Sequence, residues 1–199
     1  VVEKPFTVTS YEAEELISLA MRNGKLITAF QNRRWDSDFR TVKKIIDGGL
    51  LGDIVEYEAH FDRFRNYFKN NWREKNIPGS GILYDLGSHL IDQAVSLFGN
   101  PIEVFGNLLI QRRGGEAVDN FEVILRYQDK KVTLKSGMLV RQPLPHFIVL
   151  GSKGSFTKYG LDVQEENLKN GNTPANSPNW GKEPEDLWGF INSDINGTH

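Results

Sequence analysis

The 199-residue sequence contains no cysteine. That excludes a disulfide framework, a thiolate nucleophile and any zinc or iron–sulfur site built on thiolates, and it makes the cytoplasm the default compartment. No apolar run approaches the roughly 20 residues that a membrane helix needs. The opening VVEKPFTVTS lacks the basic, apolar and small-residue order of a signal peptide. An excess of charge of one sign is also missing. Lys and Arg number 24 against 26 Asp and Glu, a net charge of -2, so electrostatics give no reason to expect nucleic acid as a partner. There is no internal repeat and no G-x-G-x-x-G; Gly79-Ser80-Gly81 runs into Ile-Leu-Tyr instead. What is present is ordinary for a globular chain: 39% hydrophobic, 11% aromatic and 25% charged residues. A chain of this size buries roughly 70% of its unfolded surface without staples. Small-molecule chemistry or protein contacts remain.

The pattern alternates at first. Thr9 and Glu12 form a capping pair for a helix that ends at Gly24, with Leu16, Ile17, Leu19 and Ala20 as its apolar face. Lys25 to Asn32 is β-rich and predicts a buried strand. Asp36 or Ser37 then caps a second helix whose inner side carries Val42, Ile45 and Ile46, stopped by Gly48-Gly49. Strand–helix–strand–helix is the order of a parallel α/β sheet nearing its end.

From Asp53 the rhythm changes. Val55, Tyr57, Ala59 and Phe61 alternate with Glu56, Glu58, His60 and Asp62, which predicts a half-buried strand beside an antiparallel neighbour. A long helix over about Gly81 to Phe98 follows. Strands are then expected over 102–110, 121–127, 132–138, 147–151 and 155–159, with turns at Gly114-Gly115 and Asp129-Lys130. Phe105, Phe121, Tyr127, Phe147 and Phe156 fall at alternating strand positions and read as core or inter-subunit packing. Residues 170–185, with Pro174, Pro178 and Pro184, read as a surface loop. LWGFINSDINGTH reads as a strand and an Asn-Gly turn with no strand after it, and with the non-Met start this suggests a fragment. The sequon Asn196-Gly-Thr198 reads as accidental. The expected fold is α/β (α+β). It is the end of a parallel domain, then an open, mostly antiparallel sheet of five or six strands with a long helix on one face.

Chemistry concentrates in GSGILYDLGSHLIDQAVSLFG, Gly79 to Gly99. Asp85 and His89 stand four apart, so on a helix they share a face that Asp92 continues. A titratable pair at the start of an otherwise apolar helix is costly to bury, and an imidazole held by a carboxylate is a workable general acid or base. The competing reading is a helix-start aspartate favoured by the dipole and a histidine that merely bonds its neighbour. Pattern alone favours that reading, because D-x-x-x-H on a helix is unspecific. None of His60, His146 or His199 stands at a spacing that would complete a metal site.

EKP at Glu3 to Pro5, QNRRWDSDF at Gln31 to Phe39, GDIVEYEAHFDRFR at Gly52 to Arg65 and GSGILYDLGSHLIDQ at Gly79 to Gln93 occur in order and with family-like spacing. Together they resemble the Gfo/Idh/MocA oxidoreductases, in wording most like the NADP-dependent scyllo-inositol dehydrogenases. The resemblance implies a Rossmann-type dinucleotide-binding domain, of which residues 1–35 are a remnant, and a substrate and oligomerisation domain over 36–199 that lacks its final helices. It implies reversible hydride transfer between a sugar or cyclitol hydroxyl carbon and NADP or NAD, with the fragment itself inactive.

By the same resemblance Lys4, Asp85 and His89 are catalytic. Lys4 supplies positive charge beside the developing alkoxide, His89 acts as acid or base, and Asp85 orients the hydroxyl or the imidazole. Glu3, Lys4 and Arg33 face the cofactor, while Asn32, Arg63, Tyr67 and Trp72 face the substrate. Composition alone reads Lys4 and Arg33 as surface charges and Trp72 as packing. The implied partners are a small polyol or sugar and a second copy of the chain, as homodimer or higher homo-oligomer through the open sheet, with no nucleic acid, membrane or metal. Two other activities stay open: an NAD-dependent glycoside hydrolase, and a non-catalytic sugar-binding or scaffold protein of the same fold.

Overall fold

Thr9 and Glu12 form the capping box that their spacing predicts. Thr9 Oγ1 accepts the Glu12 amide at 3.3 Å and Glu12 Oε2 accepts the Thr9 amide at 2.9 Å, which opens helix α1, Ser10–Arg22. The computed structural model describes residues 1–194; the expected turn at Asn196-Gly197 and the sequon lie outside them. The apolar side of α1 does not pack as expected, since none of its residues is buried. Lys25 to Asn32 is also not the buried strand its composition predicts. It makes one parallel bridge, Ala29 with Val2, and Leu26 is 93% exposed. A buried strand needs a ladder on each side and a covered face, and this segment makes only two bonds to a neighbouring extended segment, Val2 N–H to Thr28 O at 2.9 Å and Phe30 N–H to Val2 O at 2.7 Å.

After a 3₁₀ turn at Asn32–Trp35, helix α2 spans Ser37–Asp47 and buries Phe39, Val42 and Ile45. Asp36 stands at the cap position, but the cap bond comes from far along the chain. Asp162 Oδ2 accepts the Ser37 amide at 2.7 Å and its hydroxyl at 2.6 Å.

Among the described residues seven strands form one open sheet, one more than the largest number expected. They are β1 Ile54–His60, β2 Glu103–Leu109, β3 Asn120–Arg126, β4 Lys131–Gly137, β5 Phe147–Gly151, β6 Gly154–Lys158 and β7 Phe190–Ser193, in the order β2-β3-β4-β1-β5-β6-β7. The pair β1 and β4 is parallel and every other neighbouring pair is antiparallel. A central β1 with a parallel partner corrects the simple antiparallel expectation for that strand. Its alternation is also displaced at the start: the register shifts between Ile54 and Glu56, so Ile54 is buried and Val55 is 47% exposed. Tyr57, Ala59 and Phe61 are inside as expected.

The expected long helix over Gly81 to Phe98 is divided into a π-helical turn, Leu83–Gly87, and α3, Ser88–Phe98. Two helices, not one, cover the sheet: Phe39, Val42 and Ile45 of α2 and Leu90 and Ala94 of α3 join one core with Tyr57, Phe121, Tyr127, Phe147 and Phe156. Phe121, Tyr127, Phe147 and Phe156 are therefore core, as expected. Phe105, the fifth, is 60% exposed on the edge strand β2. A short α4, Gln164–Lys169, precedes the irregular segment around the three prolines.

Gly87 lets the π turn sit against the sheet. A Cβ there would lie 2.8 Å from Leu83 Cδ1 and 3.1 Å from Phe121 Cζ. Gly87→Ala therefore costs about 1–3 kcal/mol by overpacking, read as a lower urea midpoint with an unchanged denaturant slope.

Candidate functional site

The π turn changes what the Asp85–His89 spacing means. One extra residue in the turn swings the Asp85 carboxylate away from the imidazole stripe, and no hydrogen bond joins the pair. Asp85 Oδ1 instead accepts from Lys4 Nζ at 3.0 Å and lies 3.3 Å from Arg73 Nε. Lys4 Nζ also donates to the Asp85 main-chain carbonyl. The two partners stand 81 residues apart, and their side chains are only 15% and 31% exposed. Burial alone would push the Asp85 carboxyl up. The Lys4 hydrogen bond and charge, with Arg73 behind them, overcome that and hold it below the ordinary carboxylate range. Asp85 is thus an ionised acceptor facing two cations.

His89 is buried, with Nδ1 shielded from solvent and without a partner. Burial first, then the positive charges of Lys4 and Arg33, push its pKa down to about 3. The ring is uncharged at neutral pH and cannot be an imidazolium held by Asp85. Because the folded pKa lies below the ordinary 6.5, the unfolded chain takes up the proton first, and His89 costs stability as pH falls from 6.5 toward 3. The unfolding free energy of His89→Gln relative to the unaltered chain therefore rises over that window, by up to about 1.4 kcal/mol per pH unit, in urea titrations at stepped pH. A flat difference would contradict the buried neutral ring.

Arg33 is the second cation acting on the histidine. Its guanidinium bonds Asp36 at 3.0 Å and Glu165 at 2.6 Å, and its centre lies 5.0 Å from the Phe61 ring centroid. The Arg63 guanidinium lies 5.2 Å from the same ring. The structure therefore gathers Lys4, Asp85, His89, Arg33 and Arg63 into one region. The other expected residues stand apart from it. Glu3 and Asn32 are exposed without a side-chain partner among the described residues. The Tyr67 ring is 59% exposed and contributes only its carbonyl, which accepts from Arg112 at 2.8 Å. Trp72 acts indirectly, its ring lying 4.6 Å beneath the Arg73 guanidinium that reaches Asp85. Asp92 does not continue the stripe either; it pairs with Arg34 through two bonds of 2.7 and 2.6 Å.

Arg73 is the residue that sequence reasoning missed. WRE at Trp72 to Glu74 held the signal, a cation shortly before the Gly79–Gly81 turn, but nothing local says that the turn folds it back onto Asp85. Gly79 and Gly81, with φ of 79° and 82°, make that turn, and a Cβ on Gly81 would lie 3.1 Å from the Val118 carbonyl oxygen. These glycines serve chain packing and do not form a phosphate loop.

Residues 39–157 match the GFO/IDH/MocA C-terminal domain. The NADP(+)-dependent scyllo-inositol 2-dehydrogenase IolW of Bacillus subtilis is 41% identical over 191 residues, 96% of this chain and 53% of that protein. The Escherichia coli oxidoreductase YdgJ is 46% identical over 190 residues, 96% of this chain and 52% of that protein. An oxidoreductase structure from Bacillus cereus superposes with a TM-score of 0.88 at 38% identity, covering 96% of this chain and 55% of that one. The chain spans about half the length of the curated relatives it matches.

Proposed function

The chain belongs to the GFO/IDH/MocA oxidoreductases, whose C-terminal domain it carries, and from that premise we propose that it is the substrate half of an NAD(P)-dependent dehydrogenase acting on a sugar or cyclitol hydroxyl. Residues 1–35 are read as the end of the dinucleotide-binding half and 36–199 as the substrate and oligomerisation domain. The convergence of Lys4, Asp85 and a neutral His89 carries the reading. IolW's name supports an inositol-like substrate and NADP.

The residues present fit the reacting end of a nicotinamide cofactor. Beside Lys4 and Arg33, which would face it together with Glu3, lies the unpartnered buried His89 Nδ1. The Gly79–Gly81 turn packs on Val118 and is not a pyrophosphate cradle. NAD(P), when bound, accepts the hydride. Everything else falls to side chains of this chain. Lys4 donates to the substrate oxygen and stabilises the negative charge that grows there. Asp85, kept ionised, accepts a hydroxyl hydrogen bond and orients the alcohol. His89, uncharged and with Nδ1 unpartnered, can accept the hydroxyl hydrogen bond, and its proton once the growing alkoxide offsets the Lys4 charge that holds the ring's pKa down.

A second copy is read as covering the open sheet face and its edges, where Phe105 of β2 and Phe190 of β7 are 60% and 74% exposed. Zero cysteine and the absence of any described helix able to cross a membrane accord with a cytoplasmic enzyme. The test joins this chain to the dinucleotide-binding half of IolW and measures NADPH formation on scyllo-inositol. Turnover abolished by His89→Gln is expected, and absence of turnover on every inositol, aldose, sugar acid and polyol phosphate tried would sink the reading.

A further inference from the structure

A cavity of ≈ 250 Å³ opens directly beside Asp85. Its wall carries charge mainly of one sign: Arg63, Arg65, Lys69, Arg73 and Arg112 against Glu74 and Asp85. The two carboxylates are already engaged, Asp85 by Lys4 and Arg73, and Glu74 by Arg112 at 3.2 Å. Arg112 is also held by Asp119 at 2.8 Å. That leaves Arg63, Arg65 and Lys69 with no carboxylate within ion-pair distance among the described residues. Burial first and then the Arg65 charge hold the Arg63 pKa below its ordinary value, against the more distant pull of Glu165 and Asp85. The chain as a whole carries a net charge of -2, so this is a local concentration and not general basicity.

Guanidinium and ammonium groups only donate. A neutral polyol also needs acceptors for its other hydroxyl protons, and beyond Asp85, which the reacting hydroxyl uses, the carboxylate this wall offers is Glu74, already held by Arg112. An oxyanion accepts only, and the planar fork of arginine suits a carboxylate or a phosphate. Arg63 is already steadied over Phe61, so little ordering remains to be done when an anion arrives.

We propose that this cavity binds an oxyanion, carboxylate or phosphate, borne by the substrate whose hydroxyl reacts beside Lys4, so that the substrate class is an acidic or phosphorylated sugar or polyol. The proposal rests on the dehydrogenase reading above and narrows it.

Calorimetric titration of the chain with D-gluconate, D-glucitol 6-phosphate and D-glucitol at low salt tests it. At least one of the two anions should bind ten-fold or more tightly than glucitol, and which one does so distinguishes carboxylate from phosphate. Arg65→Ala should weaken that anion ten-fold or more, as expected for loss of a charge-assisted bond. This variant removes an unpaired repelling charge, so its thermal midpoint should not fall; if it falls, Lys69→Ala, on an exposed side chain, carries the same expectation. Glucitol binding as tightly as both anions, or anion affinity untouched in the folded variant, overturns the proposal. Turnover in the IolW chimera separates the two readings. Oxidation of neutral polyols with no preference for the acidic ones defeats this proposal and leaves the dehydrogenase standing. Tight anion binding that depends on Arg65, without turnover of any polyol, defeats the dehydrogenase and keeps the cavity as an oxyanion site.

Discussion

Lys4→Met lowers turnover of a sugar or cyclitol alcohol by about 10²- to 10³-fold when the chain is joined to a dinucleotide-binding half. Methionine keeps the length and apolar stem of lysine and removes the charge 3.0 Å from Asp85 Oδ1. Two titrations should move with it. Asp85 loses the partner that does most to hold its carboxyl down, so its pKa rises. A depressed carboxyl contributes stability above its ordinary value of 3.8 and loses it as pH falls through the folded value. The variant therefore has less of that contribution to lose in acid. His89 loses the charge that stands next after burial in holding it near 3, so its ring also titrates higher. Carbon-detected NMR of the carboxyl and imidazole reads both shifts without any substrate. Turnover within three-fold of the unaltered protein would remove Lys4 from the chemistry, and two unmoved pKa values would remove it from the electrostatics.

How much of this was legible in the sequence depends on whether the partner was near in sequence. The Thr9–Glu12 cap, the strands after residue 100 and the inner side of α2 are set by neighbours three or four residues away or by alternation, and each was readable. Val55 was misread because a bulge displaces alternation without leaving a mark in composition. Lys25 to Asn32 was misread because a β-rich segment becomes a buried strand only when others flank it. At the site, the types Lys4, Asp85 and His89 stood out, but the four-residue spacing suggested a carboxylate–imidazole couple that the π turn undoes. The true partner of Asp85 lies 81 residues away. Arg73, Asp162 as the cap of α2 and the arginines around the cavity are likewise contacts of tertiary structure, invisible to any local rule.

Arg112→Ala has the largest expected effect on stability, a loss of about 3–5 kcal/mol. Its side chain is 5% exposed and bonds Asp119 at 2.8 Å, where Asp119 is 2% exposed, and Glu74 at 3.2 Å. It also donates to the Tyr67 carbonyl at 2.8 Å and lies 4.4 Å over the Phe68 ring. Removing it leaves the Asp119 carboxylate in the interior without a counter-charge, held only by the amides of Gln111 at 2.6 Å and of position 112 at 3.1 Å, and the loss should appear as a lower urea midpoint at unchanged slope. Arg112→Lys should recover less than half, because a point charge cannot serve Asp119, Glu74 and a carbonyl together. Adding Asp119→Asn to Arg112→Ala should return part of the loss, since the stranded charge is then gone. A loss below about 1 kcal/mol for Arg112→Ala would mean that the cluster is hydrated and worth no more than a surface pair. The same side chain anchors the segment from Arg65 to Glu74 that brings Arg65, Lys69 and Arg73 to the cavity. Variants that keep Arg112 should therefore weaken oxyanion binding without unfolding, whereas variants that lose it should weaken binding and stability together.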